Sequence, residues 1–128
     1  MVEKRNALMR SLEEERQRQQ DIITATKVNQ EATMAEITTK VPELAKYLSY
    51  DKATGQVSVS EDYETANIDP ATREKYDEFI AALLENEQTI NDAQDSIDET
   101  NETLDEMDKE GRDETSDLYD RVKDALVN

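Results

Sequence analysis

Chemistry in this chain would have to be done by carboxylates. The sequence holds 32 Asp and Glu among 128 residues and has no His, Cys or Trp. Without His and Cys the commonest nucleophiles, general bases and transition-metal ligands are missing. The densest oxygen-donor pattern is Glu106-Met107-Asp108-Lys109-Glu110-Gly111-Arg112-Asp113-Glu114-Thr115-Ser116-Asp117. Set against a twelve-residue calcium loop, oxygens stand at the first, third, fifth, ninth and twelfth places, with Gly at the sixth. It departs from that loop at three positions. Glu106 begins it, Asp113 stands where an apolar residue belongs, and Asp117 ends it in place of Glu. A solvated helix bend accounts for these residues better than a calcium site.

Adjacent acid pairs recur at Asp77-Glu78, Asp98-Glu99 and Asp105-Glu106. General acid–base catalysis needs a carboxyl desolvated in a pocket, and a pair of helices offers none, so these read as a solvated face. Asn101-Glu102-Thr103 fits a glycosylation acceptor only by chance, since it falls in the middle of a helix. Two glycines, Gly55 and Gly111, cannot build a phosphate-cradling loop. The expectation is a protein without catalytic residues, metal or cofactor.

The elements that would carry these residues follow from periodicity. Residues 1–46 read as a first long helix, rich in Glu, Arg, Gln, Ala and Lys. Its stripe is Met9, Leu12, Ile23, Met34, Ile37, Val41, Leu44 and Leu48, interrupted on the same face by Gln19, Thr26, Gln30 and Thr33. Pro42 has no N–H and disfavours helix at Val41, so an interruption belongs there. Residues 47–68 form the tip. Tyr47–Tyr50 and Gln56–Ser60 alternate apolar with polar around the turn-prone Asp51-Lys52-Ala53-Thr54-Gly55, which predicts a short β-hairpin or loop. An acidic linker, residues 61–67, follows it.

Residues 69–110 read as a second long helix. Asp69 suits the cap, Pro70 the first position, and Glu74 adds an acid near the positive end. Seven-residue spacing then holds through Tyr76, Leu83, Ile90, Ile97 and Leu104, continuing to Gly111 and Leu118. A companion line runs Phe79, Asn86, Ala93, Thr100, Met107 and loses apolar character toward the end. Gly111 is the natural place for a bend, and residues 111–128 form an amphipathic tail around Leu118 and Val122. The fold class is therefore mainly α: a long antiparallel, coiled-coil-like helical hairpin with a short β-hairpin or loop at its tip. Antiparallel matching from the tip pairs Ile37 and Met34 with Leu83 and Ile90.

Only 35% of residues are hydrophobic, against about 45–50% in an average domain. Such a chain suits thin helices better than a thick globule. Partner helices, from copies of itself or from other proteins, would complete the core. The surfaces expected to dock are the second-helix seam (Tyr76, Phe79, Leu83, Ile90, Ile97, Leu104, Met107, Leu118, Val122) and the first-helix seam (Leu12, Ile23, Met34, Ile37). Tyr47, Tyr50 and Tyr63 add aromatic area at the tip, where interface contact and internal packing are both open to them.

The net charge is −17 and lies mostly in the second half. Residues 1–64 hold 9 Lys and Arg against 12 Asp and Glu, and residues 65–128 hold 6 against 20. No basic residue stands between Lys75 and Lys109. A face carrying Asp92, Asp95, Asp98, Glu99 and Glu102 would repel nucleic acid and anionic membrane and attract a basic protein surface. Lys4, Arg5, Arg10, Arg16 and Arg18 adjoin Glu13-Glu14-Glu15, which points to a salt-bridged helix face in place of phosphate binding.

No apolar run reaches the ~20 residues of a membrane span, and the N-terminal residues do not resemble a signal peptide. The expectation is a cytoplasmic protein or part of a viral or secretion assembly. In outline the helix, hairpin, helix order resembles prefoldin-type chaperones, with no residue motif carried over. The functional expectation is a non-enzymatic structural or assembly subunit, such as a virion, scaffolding or secretion-apparatus component. The alternative is an acidic chaperone or antagonist that binds a basic protein surface or imitates nucleic acid. Acidity as adaptation to a saline interior is a third reading, with no bearing on partners.

Overall fold

A computed structural model describes the backbone of residues 2–127 and the side chains of residues 3–109. The chain is mainly helical, in the order α1 (Val2–Lys40), α2 (Pro42–Ala45), β1 (Leu48–Asp51), β2 (Gln56–Val59), α3 (Asp62–Thr65) and α4 (Pro70–Val127). It divides into two compact units. One comprises residues 20–94 and the other residues 1–19 with 95–128.

α1 contains no Gly or Pro, begins with Glu3 in its first turn and ends with Lys40 in its last, charges that suit the two ends of the helix dipole. It stops where Pro42 requires it to. Val41 leaves the helical region (φ −133°, ψ 59°), and Pro42 opens α2 at the first helical position. The single turn of α2 buries Leu44 completely.

β1 and β2 pair antiparallel, with Leu48 opposite Val59 and Tyr50 opposite Val57. Leu48 and Val57 are buried, and Tyr50 and Val59 half-buried, while Ser49, Asp51, Gln56 and Ser58 are exposed. The hairpin therefore has one inner face. Its turn is closed by the Gly55 amide, which donates to the Asp51 carbonyl at 2.7 Å, and by the Ala53 amide, which donates to Asp51 Oδ1 at 2.9 Å. Gly55 takes a left-handed φ of 74°, as the turn chemistry predicts.

The hairpin does not extend beyond the helices as a tip. It folds back along them. Lys27 Nζ donates to the Ala53 carbonyl at 2.8 Å, and a Cβ built on Gly55 would lie 2.6 Å from Ile90 Cδ1. Lys27 is thirteen residues before the end of α1, about 20 Å back along the helix axis. Leu48 and Val57 take their apolar cover from the core cluster. In the core of this unit, Ile37, Leu44, Leu48, Val57, Tyr63, Ile80 and Leu83 pack together. Met34 packs against that cluster too, which holds both Ile37 and Leu83. Ile90 lies lower, beneath the hairpin turn.

The stretch expected to be an acidic linker is structured as well. Residues 62–65 form α3, and Tyr63 is buried. The Arg73 guanidinium holds that turn by donating to the carbonyls of Tyr63 and Ala66 at 3.0 and 2.9 Å.

α4 starts at Pro70, and the Arg73 amide makes its first backbone bond to the Asp69 carbonyl at 2.8 Å. No acid lies in its first turn; Glu74 falls one residue beyond it. The helical backbone continues through Gly111, the position expected to allow a bend. Glycine inside a helix costs only about 1 kcal/mol relative to alanine, and its neighbours there are mostly good helix formers. Burial along α4 steps seven residues from Leu83 to Ile90 and then alternates three- and four-residue steps through Ala93, Ile97, Thr100 and Leu104.

Candidate functional site

Within the unit of residues 20–94, the predicted seam residues point inward. Leu83 and Ile37 are fully buried, Ile90 and Ile23 nearly so, and Met34, Tyr76 and Phe79 are half-buried. The polar gap in the α1 stripe has a structural use that sequence reasoning missed. Gln30 is fully buried, and its Nε2 donates to the Leu83 carbonyl at 3.0 Å and to the Gly55 carbonyl at 3.4 Å. Its Oε1 accepts from Asn86 Nδ2 at 3.0 Å. One side chain thus joins α1, α4 and the hairpin. Its place at seven-residue spacing between Ile23 and Ile37 was the available signal.

The unit of residues 1–19 and 95–128 is less evenly filled. On α4, Ile97, Thr100 and Leu104 are buried and Met107 is half-buried. On α1, Met9 and Leu12 are only half-buried and Leu8 is 53% exposed; no described residue from Glu3 to Gln19 is buried. Arg16 Nη1 donates to Asn101 Oδ1 at 2.9 Å. Glu15 accepts from Gln19 at 2.8 Å and pairs with Arg18, and these bonds hold its carboxyl below the usual range, the Gln19 bond most strongly. Leu118 and Val122 lie outside the residues whose side chains are described, as do residues 110–117 of the acidic loop.

The tyrosines are engaged internally. Tyr63 stacks edge-on against Tyr47 with ring centroids 5.6 Å apart, and the Arg73 guanidinium lies 4.7 Å from the Tyr63 ring centroid. The Tyr63 hydroxyl donates to Asp77 Oδ1 at 2.6 Å. Burial, then this bond to a carboxylate, pushes the phenol up to about 12. The Tyr50 hydroxyl donates to the Lys27 carbonyl at 3.4 Å, and burial raises it above its ordinary value. An open groove of about 820 Å³ runs beside Tyr63, Arg73, Asp77 and Ile80. Two of its polar groups are already engaged: Asp77 accepts from the Tyr63 hydroxyl, and one Arg73 terminal nitrogen donates to two carbonyls.

Asp92, Asp95, Asp98, Glu99 and Glu102 are all exposed. Asp92 accepts from Gln88 at 2.7 Å. Among the described residues, no group of three or more acidic side chains is placed to hold a metal ion. No helix among them is long and apolar enough to cross a membrane. Comparison with protein-family models, with curated proteins and with solved structures finds no match to this chain.

Proposed function

We propose that this chain is a non-enzymatic assembly subunit whose two long helices pair as an antiparallel coiled coil and dock on further helices, from copies of itself or from another protein. The supporting observation is the imbalance in the unit of residues 1–19 and 95–128. There α4 buries Ile97 and Leu104, while Leu8, Met9 and Leu12 on α1 keep much of their apolar surface in water. A third helix laid along that edge would cover them, as in bundles of more than two helices. In this reading the docking surface is not the middle of the α4 seam, which a single chain already seals. It is the edge formed by Leu8, Met9 and Leu12. A virion, a scaffold or a secretion apparatus is the kind of setting such a subunit suits.

Light scattering over a concentration series tests this. Oligomers are expected, and the double variant Leu8→Ser, Leu12→Ser should shift them toward monomer with the helical signal intact. A wild-type chain that stays monomeric at every concentration, without another protein bound along α1, would overturn the reading.

A second reading rests on the charge of α4. With no base between Lys75 and Lys109 and five exposed acids from Asp92 to Glu102, the helix suits a basic protein surface. Binding to such a partner should weaken as salt rises and should fall when Asp95, Asp98, Glu99 and Glu102 are neutralised together. Affinity that ignores ionic strength would remove this reading.

A further inference from the structure

The hairpin is held in two different ways along its length. Near its base, Leu48 is buried in the apolar cluster with Leu44, Ile37 and Leu83. At its turn the backbone of Gly55 rests on Ile90 and the Lys27 stem, and the directional contacts that fasten it are polar. Lys27 donates to the Ala53 carbonyl at 2.8 Å, Lys52 pairs with Glu31 at 3.0 Å, and both contacts are exposed. The Val57 amide donates to Glu87 Oε2 and the Gln30 amide to the Gly55 carbonyl, at 3.3 and 3.4 Å, toward the long end for hydrogen bonds. Beneath the turn lies Ile90, which is 4% exposed.

We infer that the β-hairpin is a hinged strap, fixed at its base by apolar packing and latched at its turn by the buried side chain of Gln30, so that it opens turn-first and uncovers Ile90. Three features favour opening from that end. The exposed contacts of Lys27 and Lys52 at the turn exchange readily with water, whereas separating Leu48 from its cluster exposes apolar surface. Gln30 keeps its bonds to Leu83 and Asn86 when the strap lifts, so no buried polar group is orphaned. A two-stranded hairpin on its own is marginal in water, so its pairing loosens once it leaves the helices. The inference stands whether or not the chain assembles with others, and it adds a conformational step that bears on when one seam residue is reachable.

The chain has no cysteine, so spin labels can be attached at two introduced sites, Thr54→Cys on the turn and Ala35→Cys on α1, both exposed. The distance between them should be narrowly distributed in the parent chain and broad in Gln30→Leu. In the same variant, which also loses the bonds to Leu83 and Asn86 on α4, the hairpin amides should exchange with solvent about tenfold faster, the effect of losing the one modest hydrogen bond that Gln30 gives the hairpin. Amides of α1 and α4 from residues 20–94 should keep their protection. An unchanged distance with unchanged exchange overturns the strap. Equal acceleration in the helices also overturns it, because Gln30 would then be holding the whole unit together. Should Gln30→Leu not fold, Lys27→Met is read by the same two measurements: hairpin-only loosening supports the strap, and no loosening overturns it.

Discussion

The hydroxyl of Tyr63 reaches across from the short helix α3 to donate to Asp77 Oδ1 on α4 at 2.6 Å. The bond fastens the second half of the connection to the helix that follows it, and it keeps the phenol protonated. Tyr63 titrates near 10 when unfolded and at about 12 when folded. A raised folded value means that this contribution to stability is whole below about pH 10 and is lost as pH climbs from there toward about 12. Urea midpoints measured across the alkaline range should fall in the parent chain and fall less in Tyr63→Phe. Equal slopes would remove Tyr63 as the cause.

At neutral pH the same Tyr63→Phe change should cost about 1–2 kcal/mol, the size expected for a hydrogen bond to a charged group from a buried donor. Arg73→Lys is the companion test. A lysine lacks the planar fork that lets Arg73 donate to both carbonyls while its guanidinium sits over the ring, so protection of the α3 amides should drop. Full protection in Arg73→Lys would mean that the stacking and the paired bonds are incidental.

Gly55→Ala should destabilise the unit of residues 20–94 by about 1–2 kcal/mol, because an L side chain in the left-handed region is strained. The new methyl would also press on Ile90 Cδ1, the mobile end of a side chain that can turn aside, and stand 3.2 Å from Lys27 Cγ. Thermal melts of the variant beside the parent measure this. A neutral result would show that the hairpin turn repositions at little expense.

Leu83→Ala removes a fully buried side chain at the centre of the cluster, and about 2–5 kcal/mol should be lost. Leu84→Ala, one residue along on a 45% exposed side chain, should fall within about 0.5 kcal/mol of the parent. Denaturant titration of the pair measures the contrast. Similar losses at both positions would contradict the helix rotation described here.

With a net charge of −17, the folded chain repels itself, and salt should relieve that repulsion. The melting temperature is expected to rise between low and moderate ionic strength. A fall would mean that exposed pairs such as Lys52–Glu31 and Lys46–Glu43 outweigh the excess of acids.

The periodic parts of this fold were readable from the residues. Leu83, Ile90, Ile97 and Leu104 stand seven apart and are buried, Pro42 forces Val41 out of the helix so that α1 ends at Lys40, and Gly55 takes the positive φ that its turn needs. What escaped depends on a third layer. Alternation in Leu48–Asp51 and Gln56–Val59 says that one face is covered, but not what covers it. Ile80 lies off the seven-residue line of Tyr76 and Leu83, and it is buried in the same cluster as the hairpin residues Leu48 and Val57. Tyr63 sits among acids that look like a linker, and Arg73 secures that stretch through carbonyls, which carry no sequence signature. Gln30 reads as a weak spot in an apolar stripe until its three partners are known.

Residues 41–69 behave as furniture rather than as string. They supply Leu44, Leu48, Val57 and Tyr63 to the same cluster as Ile37, Ile80 and Leu83. Shortening them to a tight turn would not leave two helices neatly rejoined; it would strip the cover from three side chains and strand Gln30 facing solvent. Anyone transplanting this connector as a cassette onto another helical pair must therefore carry the ends of both helices with it, from about Lys27 to Ile90.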